Sequence, residues 1–184
     1  CVKYFGDYVM ASTLSVSKIQ GLSSAASPTT VEIASGHKIT GAAGSVIIPG
    51  QVIQSKSFLY DTEHSTTSTS YVASDVTLSI TPTSASNKIL AFFSVPLYGS
   101  GAGVATCTLY RNSTDLAVNT SNNNYGFGYV NNNIPGNISG HILDSPNTTS
   151  STTYTIYHKR SSASNSYVCI NTCTASLTLL EIAQ

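Results

Sequence analysis

The sequence has little charge, no tryptophan and one methionine. Only 9% of its residues are charged, against about 25% in an average protein, and its formal net charge is +0. Eight basic and eight acidic residues form no basic surface, so charge-driven binding of nucleic acid or of an anionic membrane is not expected. The sequence also lacks the run of about 18 apolar residues that a membrane-spanning helix requires.

Motifs of catalysis and of metal or cofactor binding are missing as well. No serine stands in a Gly-x-Ser-x-Gly motif, and the glycine-rich segment 99–103 has no phosphate-loop lysine. No histidine has an acidic or cysteine partner at zinc-ligand spacing. The histidines are His37, His64, His141 and His158. We therefore expect a non-enzymatic protein without metal or cofactor, although a pair of carboxylates assembled by the fold stays open.

The four cysteines do not form a recognisable disulfide or zinc pattern. They are Cys1, Cys107, Cys169 and Cys173. A bond between the last two would require a tight turn at Asn171-Thr172, so we expect free and mostly buried thiols. The first nine residues, Cys1–Val9, resemble neither a signal peptide nor an element of the fold, and Met10 is the expected natural start.

What is abundant favours strands. Thr, Val, Tyr and Ile are frequent, whereas the strong helix formers are scarce, so we predict an all-β protein. Turn signals separate nine predicted strands at the intervals of an antiparallel, jelly-roll-like β-sandwich. The strands are Gln51–Tyr60, Ser70–Ile80, Lys88–Leu97, Val104–Arg111, Tyr125–Val130, Ile138–Leu143, Thr152–Lys159, Ser166–Ile170 and Ala175–Ile182.

Alternation of side chains predicts which faces are buried. Tyr154, Ile156 and His158 share one face of their strand, opposite Thr153, Thr155 and Tyr157. The run Ile89–Phe93 is continuous instead, which predicts cover on both faces, and the apolar last strand should lie centrally in a sheet or at a subunit interface. The predicted core residues are Val76, Leu78, Ile80, Ile89, Leu90, Phe92, Leu109, Ile156, Leu177 and Leu179.

The segment Met10–Gln54 differs from the rest. Its apolar runs are very short and broken by Gly, Ser, Pro and Thr, so it cannot bury a core of its own. We predict an extended N-terminal arm over residues 1–49 and a β-sandwich head over residues 50–184. The arm residues expected to be covered by neighbouring chains are Val31, Ile33, Ile39, Val46, Ile47 and Ile48.

Three stretches of this arm carry a resemblance: MASTLSVSKIQ at 10–20, GHKITGA at 36–42 and PGQVIQ at 49–54. In wording and order they resemble the N-terminal leader of small structural proteins of tailed bacteriophages, particularly marine ones. An arm before an all-β head also resembles the layout of trimeric jelly-roll heads of the tumour-necrosis-factor and complement-C1q type.

The resemblance implies a short homotrimeric tail fibre or appendage on the virion. Its arm would bind other virion proteins and its head would face the host. A capsid decoration protein has the same parts and is the first alternative. A secreted, lectin-like bacterial adhesin is the second.

The stretch 119–140 holds the candidate binding residues. Two asparagine triplets flank an alternation of aromatic residues with glycines, which predicts loops around a short hairpin strand. Exposed rings there could stack on a neutral surface glycan, with amides bonding its hydroxyls. Alternatively, the rings pack inward and the asparagines only shape turns. The candidates are Tyr125, Phe127, Tyr129, Asn123, Asn124, Asn131 and Asn132.

Overall fold

The computed structural model describes residues 35–36, 46–117, 125–162 and 164–184. The chain divides into two compact units, residues 1–41 and residues 42–184. Of the first unit only Ser35 and Gly36 are described, and they form part of a turn. The predicted boundary between arm and head near Pro49-Gly50 stays a prediction.

Strands dominate the described residues. Nine of the strands coincide with the nine predicted ones, and β2 and β6 are short additions that the sequence pattern did not reveal. In chain order they are β1 (Val52–Tyr60), β2 (His64–Thr66), β3 (Val72–Ile80), β4 (Lys88–Gly99), β5 (Ala105–Arg111), β6 (Thr114–Asp115), β7 (Gly128–Val130), β8 (Gly136–Asp144), β9 (Thr152–Arg160), β10 (Ser166–Val168) and β11 (Ala175–Ile182).

The strands β7 and β10 are shorter than predicted, and positive φ angles explain both. Gly126 has φ 60 and turns the backbone before β7 can begin. Cys169 has φ 58 and ends β10, so Ile170–Thr172 form a short 3-10 turn instead of more strand. The left-handed conformation is incompatible with a regular strand.

The strands form two antiparallel sheets. Sheet A has the order β1-β11-β4-β10-β2, with β8 on β4. Sheet B has the order β3-β9-β5-β6, with β7 on β5. Their inward-facing side chains form one hydrophobic core between the two sheets. The prediction of an all-β antiparallel sandwich is thus confirmed.

Most of the predicted core is confirmed. Leu78 is partly buried and packs against the core. The predicted residues that are fully buried are Val76, Ile80, Ile89, Leu109, Ile156, Leu177 and Leu179. The phase predicted for β9 is also confirmed, because Tyr154, Ile156 and His158 are all buried.

The predicted placement of Leu90 and Phe92 in the sandwich core was wrong, and within one chain the run Ile89–Phe93 is covered on one face only. In β4, Ile89, Ala91 and Phe93 point into the core, whereas Leu90 is half-buried and Phe92 is 42% exposed. An unbroken apolar run does not show which of its side chains point into the core. Here the other sheet covers only one face of the strand. Leu90 and Phe92 therefore lie on the outer face of sheet A.

The last strand lies inside sheet A. It pairs with β1 on one side and with β4 on the other, and Leu177 and Leu179 have no exposed surface. The central position was one of two expected explanations for its apolar sequence. The burial of Leu177 and Leu179 is thus accounted for within a single chain, and any contact between copies has to use the outer face of this strand or another surface.

Candidate functional site

Two of the candidate aromatic rings are exposed side by side. Tyr125 is 38% exposed and Tyr129 is 49% exposed, and their ring centroids lie 4.9 Å apart. Gly126 sets this geometry, because its φ of 60 turns the chain and its Cα lies close to the Cys107 carbonyl. A Cβ at this position would meet that carbonyl oxygen. The structure therefore requires a glycine at position 126, because only glycine combines this φ with the close approach to the carbonyl.

Phe127 does not share this surface, which corrects its inclusion among the stacking residues. Its ring packs edge-on against Phe93, with centroids 4.9 Å apart, and it borders the hydrophobic core. Residues at alternate positions face the same way only in an uninterrupted strand, and the turn at Gly126 precedes β7. The inward-packing alternative is thus correct for Phe127 and incorrect for the two tyrosines.

The asparagines of the second triplet have different roles. Asn131 and Asn132 are exposed. Asn133 has φ 56, and its side-chain oxygen accepts hydrogen bonds from the Gly101 amide at 3.0 Å and the Tyr98 hydroxyl at 3.3 Å. This asparagine therefore shapes a turn, as expected for a loop residue. Asn123 and Asn124 lie outside the described residues.

The exposed pair belongs to a larger tyrosine face, which we define as Tyr71, Tyr110, Tyr125, Tyr129 and Tyr157. Strand register places most of it on the outer side of sheet B, since Tyr129 pairs with Thr106 and Tyr157 pairs with Thr108. Tyr110 and Tyr157 stack with centroids 4.0 Å apart, and Tyr71 lies 6.4 Å from Tyr110.

The tyrosine face carries both a cation and a carboxylate. Nζ of Lys159 lies 4.5 Å from the centroid of the Tyr71 ring, which is cation–π distance. Asp115 accepts hydrogen bonds from the Thr108 hydroxyl at 2.6 Å and the Ala117 amide at 3.0 Å. Burial raises the pKa of Tyr71 to about 12, so this phenol stays neutral. The face is a set of rings and hydroxyls with little net charge.

Sequence reasoning missed Tyr71, Tyr110 and Lys159 as neighbours of the candidate pair. Tyr157 was predicted to point away from the core, and that much is confirmed by its partly exposed position. The pairing of β5 with both β7 and β9 brings these residues together. Pairing between strands far apart in sequence leaves no local signal in a single sequence.

A buried hydrogen-bonded chain links three other polar residues. Nδ1 of His64 lies 2.8 Å from Nε2 of His158, and Nδ1 of His158 lies 2.9 Å from Oγ of Ser166. Burial, together with the nearby His64, lowers the pKa of His158 to about 3. His158 is therefore neutral at ordinary pH. No cluster of three or more potential metal ligands occurs within the described ranges.

The buried carboxylates support the fold. Asp144 accepts from Arg111 at 2.6 Å and from the Tyr154 hydroxyl at 2.7 Å. Glu181 accepts from Asn87 and Gln54, both at 2.6 Å. Burial alone would raise the pKa of Glu181, but these hydrogen bonds and those from Thr83 outweigh it and lower the pKa.

The cysteines that the structure describes are free, as expected. Cys107 and Cys169 are buried, whereas Cys173 is exposed. Burial raises the pKa of the Cys107 thiol to about 12, which keeps it protonated and unreactive. The tight turn at Asn171-Thr172 exists, yet no disulfide joins Cys169 to Cys173 across it. Cys1 lies outside the described residues.

Only part of the predicted assembly set is described. Val46 is half-buried, whereas Ile47 is 58% exposed and Ile48 is 60% exposed. Val31, Ile33 and Ile39 lie outside the described residues. Whether neighbouring chains cover this set stays a prediction.

Comparison with known proteins gives no family. No protein-family model matches the chain. No curated protein sequence matches it either. Within the described part of the chain, no helix is both long and apolar enough to span a membrane.

Some solved structures share a distant likeness. The structure of T=1 particles derived from infectious bursal virus has a TM-score of 0.40 at 8% identity, covering 80% of this chain and 41% of that one. The VP2 subviral particle of infectious bursal disease virus has a TM-score of 0.32 at 14% identity, covering 80% and 42%. This chain thus spans about two fifths of those proteins. TM-scores below 0.5 do not establish a common topology, so the fold assignment rests on the strand pairing itself.

Proposed function

We propose that this protein is a non-enzymatic structural protein of a virion, and that it forms a short trimeric fibre or tail appendage of a tailed bacteriophage. The arm over residues 1–49 anchors it to other virion proteins. The head faces outward at the particle surface and contacts the host. The resemblance of the segment 10–54 to a phage leader supports the virion assignment.

The observation that carries the outward-facing role is the exposed Tyr125–Tyr129 pair. Two rings 4.9 Å apart, Tyr129 on β7 and Tyr125 just before the turn that precedes it, present a preformed stacking surface. Exposed tyrosines combine an apolar ring with a hydroxyl, and a sugar likewise presents an apolar face rimmed by hydroxyls. Asn131 and Asn132 are exposed in the loop after β7 and supply amides for those hydroxyls.

The proposed ligand is a neutral surface glycan of the host. The chain has a formal net charge of +0, and the Lys159 ammonium lies over the Tyr71 ring. A strongly anionic polymer would require a basic surface, and this composition does not provide one. A neutral glycan requires only rings and hydrogen-bonding groups.

Deletion of residues 10–49 tests the anchoring role. We expect the shortened protein to be excluded from particles while the full chain is incorporated, as measured by antibody detection on purified particles. The matched control is the full chain with Tyr129→Ala, which changes the head and keeps the arm. Normal incorporation of the shortened protein would place the anchor elsewhere.

A further inference from the structure

The outer face of sheet A carries an uncovered apolar ridge. Strand register places Leu90 beside Leu143 of β8 and beside Leu180 of β11, so three leucines form one row across three strands. Leu143 is 51% exposed. Phe92 follows in the next row, is 42% exposed, and lies 6.0 Å from the His141 ring. We call these five residues the ridge.

A trough of small side chains runs beside the ridge. The next row along the same strands consists of Ser139, Ser94 and Ser176, which the pairing of β8, β4 and β11 aligns. The three serines line a depression together with Phe92 and His141. Successive rows on one face are about 7 Å apart, because two residues of a strand rise about 3.4 Å each. The large Phe92 ring therefore projects from the face, and the row of small serines leaves a depression beside it.

The rows from Leu90 to Ser94 contain no carboxylate, ammonium or guanidinium group, and Lys88 lies one row beyond Leu90, beside Ile182. On β1 the two ridge rows end in Ser55 and Ser57, and the trough row ends in Leu59, which is 67% exposed. Covering the ridge and the trough desolvates no charged side chain, and the long Lys88 side chain at the start of β4 can keep its ammonium in water. A second copy of a neutral chain meets no electrostatic opposition here, whereas a strongly charged partner would find no complement.

The size of the face also suits a second copy. Four strands spaced about 4.8 Å apart and eight residues rising about 3.4 Å each give a plan area of about 500 Å². Because side chains project from the sheet, the accessible area of this face is larger than its plan area. It approaches the roughly 800 Å² that each partner buries in a standard interface. Strand β8 pairs with β4 alone among the described strands, so its other edge offers further backbone groups.

We infer that the outer face of sheet A is where copies of this chain associate, with the ridge of one copy seated in the trough of the next. Such head-to-tail contacts close a ring when the rotation between copies permits it. The inference deepens the proposed trimer and rests on it only for the number of copies. The outer residues of the last strand, Ser176 and Leu180, belong to this face, whereas Leu177 and Leu179 are buried in the core.

Light scattering of the full chain during size-exclusion chromatography tests the inference. The wild type should have three times the 19.2 kDa monomer mass. Phe92→Glu should raise the dissociation constant at least tenfold, because it places a charge on the ridge. Ser139→Phe should do the same by filling the trough from an exposed position. The matched control is Tyr129→Glu, which puts the same charge on the exposed ring of sheet B.

The possible outcomes test separately whether the protein is a trimer and whether its copies associate through the outer face of sheet A. A dimer that Phe92→Glu and Ser139→Phe dissociate supports the face and removes the trimer. A trimer that neither variant weakens removes the face and keeps the trimer. A wild-type monomer overturns both. Because one variant could affect folding, each is compared with the wild type by circular dichroism and melting temperature, and the inference fails if either folded variant assembles normally.

Discussion

His64 and His158 are joined by a hydrogen bond of 2.8 Å between Nδ1 of the first and Nε2 of the second. The two residues are 94 positions apart and lie in different sheets, β2 in sheet A and β9 in sheet B. His158 has no exposed surface, and its other ring nitrogen contacts Ser166. The pair therefore links the two sheets through a buried, neutral imidazole.

Acid should destabilise the protein through His158. Burial lowers its pKa from the ordinary 6.5 to about 3. Below pH 6.5, His158 is therefore protonated in the unfolded chain but stays neutral in the folded chain until the pH approaches 3. This contribution is intact above pH 6.5 and is lost progressively as the pH falls toward 3. At pH 5 the loss should be about 2 kcal/mol relative to pH 7.5. Urea unfolding at the two pH values measures it.

The control for this prediction is the exposed Tyr129, which lies outside the ridge. His158→Gln should reduce the pH dependence between 7.5 and 5, whereas Tyr129→Gln should leave it as in the wild type. An unchanged pH dependence in a folded His158→Gln protein would assign the acid sensitivity to other groups.

Truncation in the core should be costly. Leu179 of β11 is fully buried, so Leu179→Ala should lower the free energy of unfolding by about 2–5 kcal/mol. Ile134→Ala is the control, because Ile134 lies in the loop between β7 and β8, is 58% exposed, and its truncation should cost less than about 0.5 kcal/mol. Chemical denaturation measures both. A loss below about 0.5 kcal/mol for Leu179→Ala would contradict its position in the core.

Gly126→Ala should disturb the candidate site more than a change at another left-handed glycine. Gly126 and Gly50 have φ 60 and 85, and alanine in this region costs about 1–2 kcal/mol. Nothing lies within 4 Å of a Cβ at Gly50, whereas one at Gly126 meets the Cys107 carbonyl. The loss of stability measured by urea unfolding should therefore be larger for Gly126→Ala. Equal losses of stability would show that the backbone moves the Cys107 carbonyl away from the new Cβ at no cost in the free energy of unfolding.

Removal of the exposed rings should impair binding to the host. Tyr125→Ala combined with Tyr129→Ala should reduce particle adsorption about tenfold, because two stacking surfaces are lost. Tyr167→Ala is the control, since Tyr167 forms a comparable ring pair with Tyr98, at 5.8 Å, in sheet A. Unchanged adsorption with a folded double variant would remove the glycan site. Loss of folding would instead assign the two rings a role in stability.

The sequence predicted the strands well because the alternation in β3 and β9 has a clear phase. It failed at Ile89–Phe93, where an unbroken apolar run is compatible with either face outward. Propensity and alternation are local properties, and they located nine of the eleven described strands to within a few residues.

The candidate site was less predictable. The aromatic–glycine alternation pointed to Tyr125 and Tyr129, but the turn at Gly126 sent Phe127 inward. The tyrosine face and the His64–His158 bond depend on which strands pair and on how the sheets pack. Those contacts join residues far apart in the sequence, so no local pattern encodes them.

Electron cryomicroscopy of the intact particle tests the central proposal most directly, with copies located by an antibody against the head. The proposal predicts three-fold density at the tail, with the arm inward and the tyrosine face accessible. Copies spread over the shell would instead identify a capsid decoration protein. Purified particles that contain none of this protein would contradict the virion assignment.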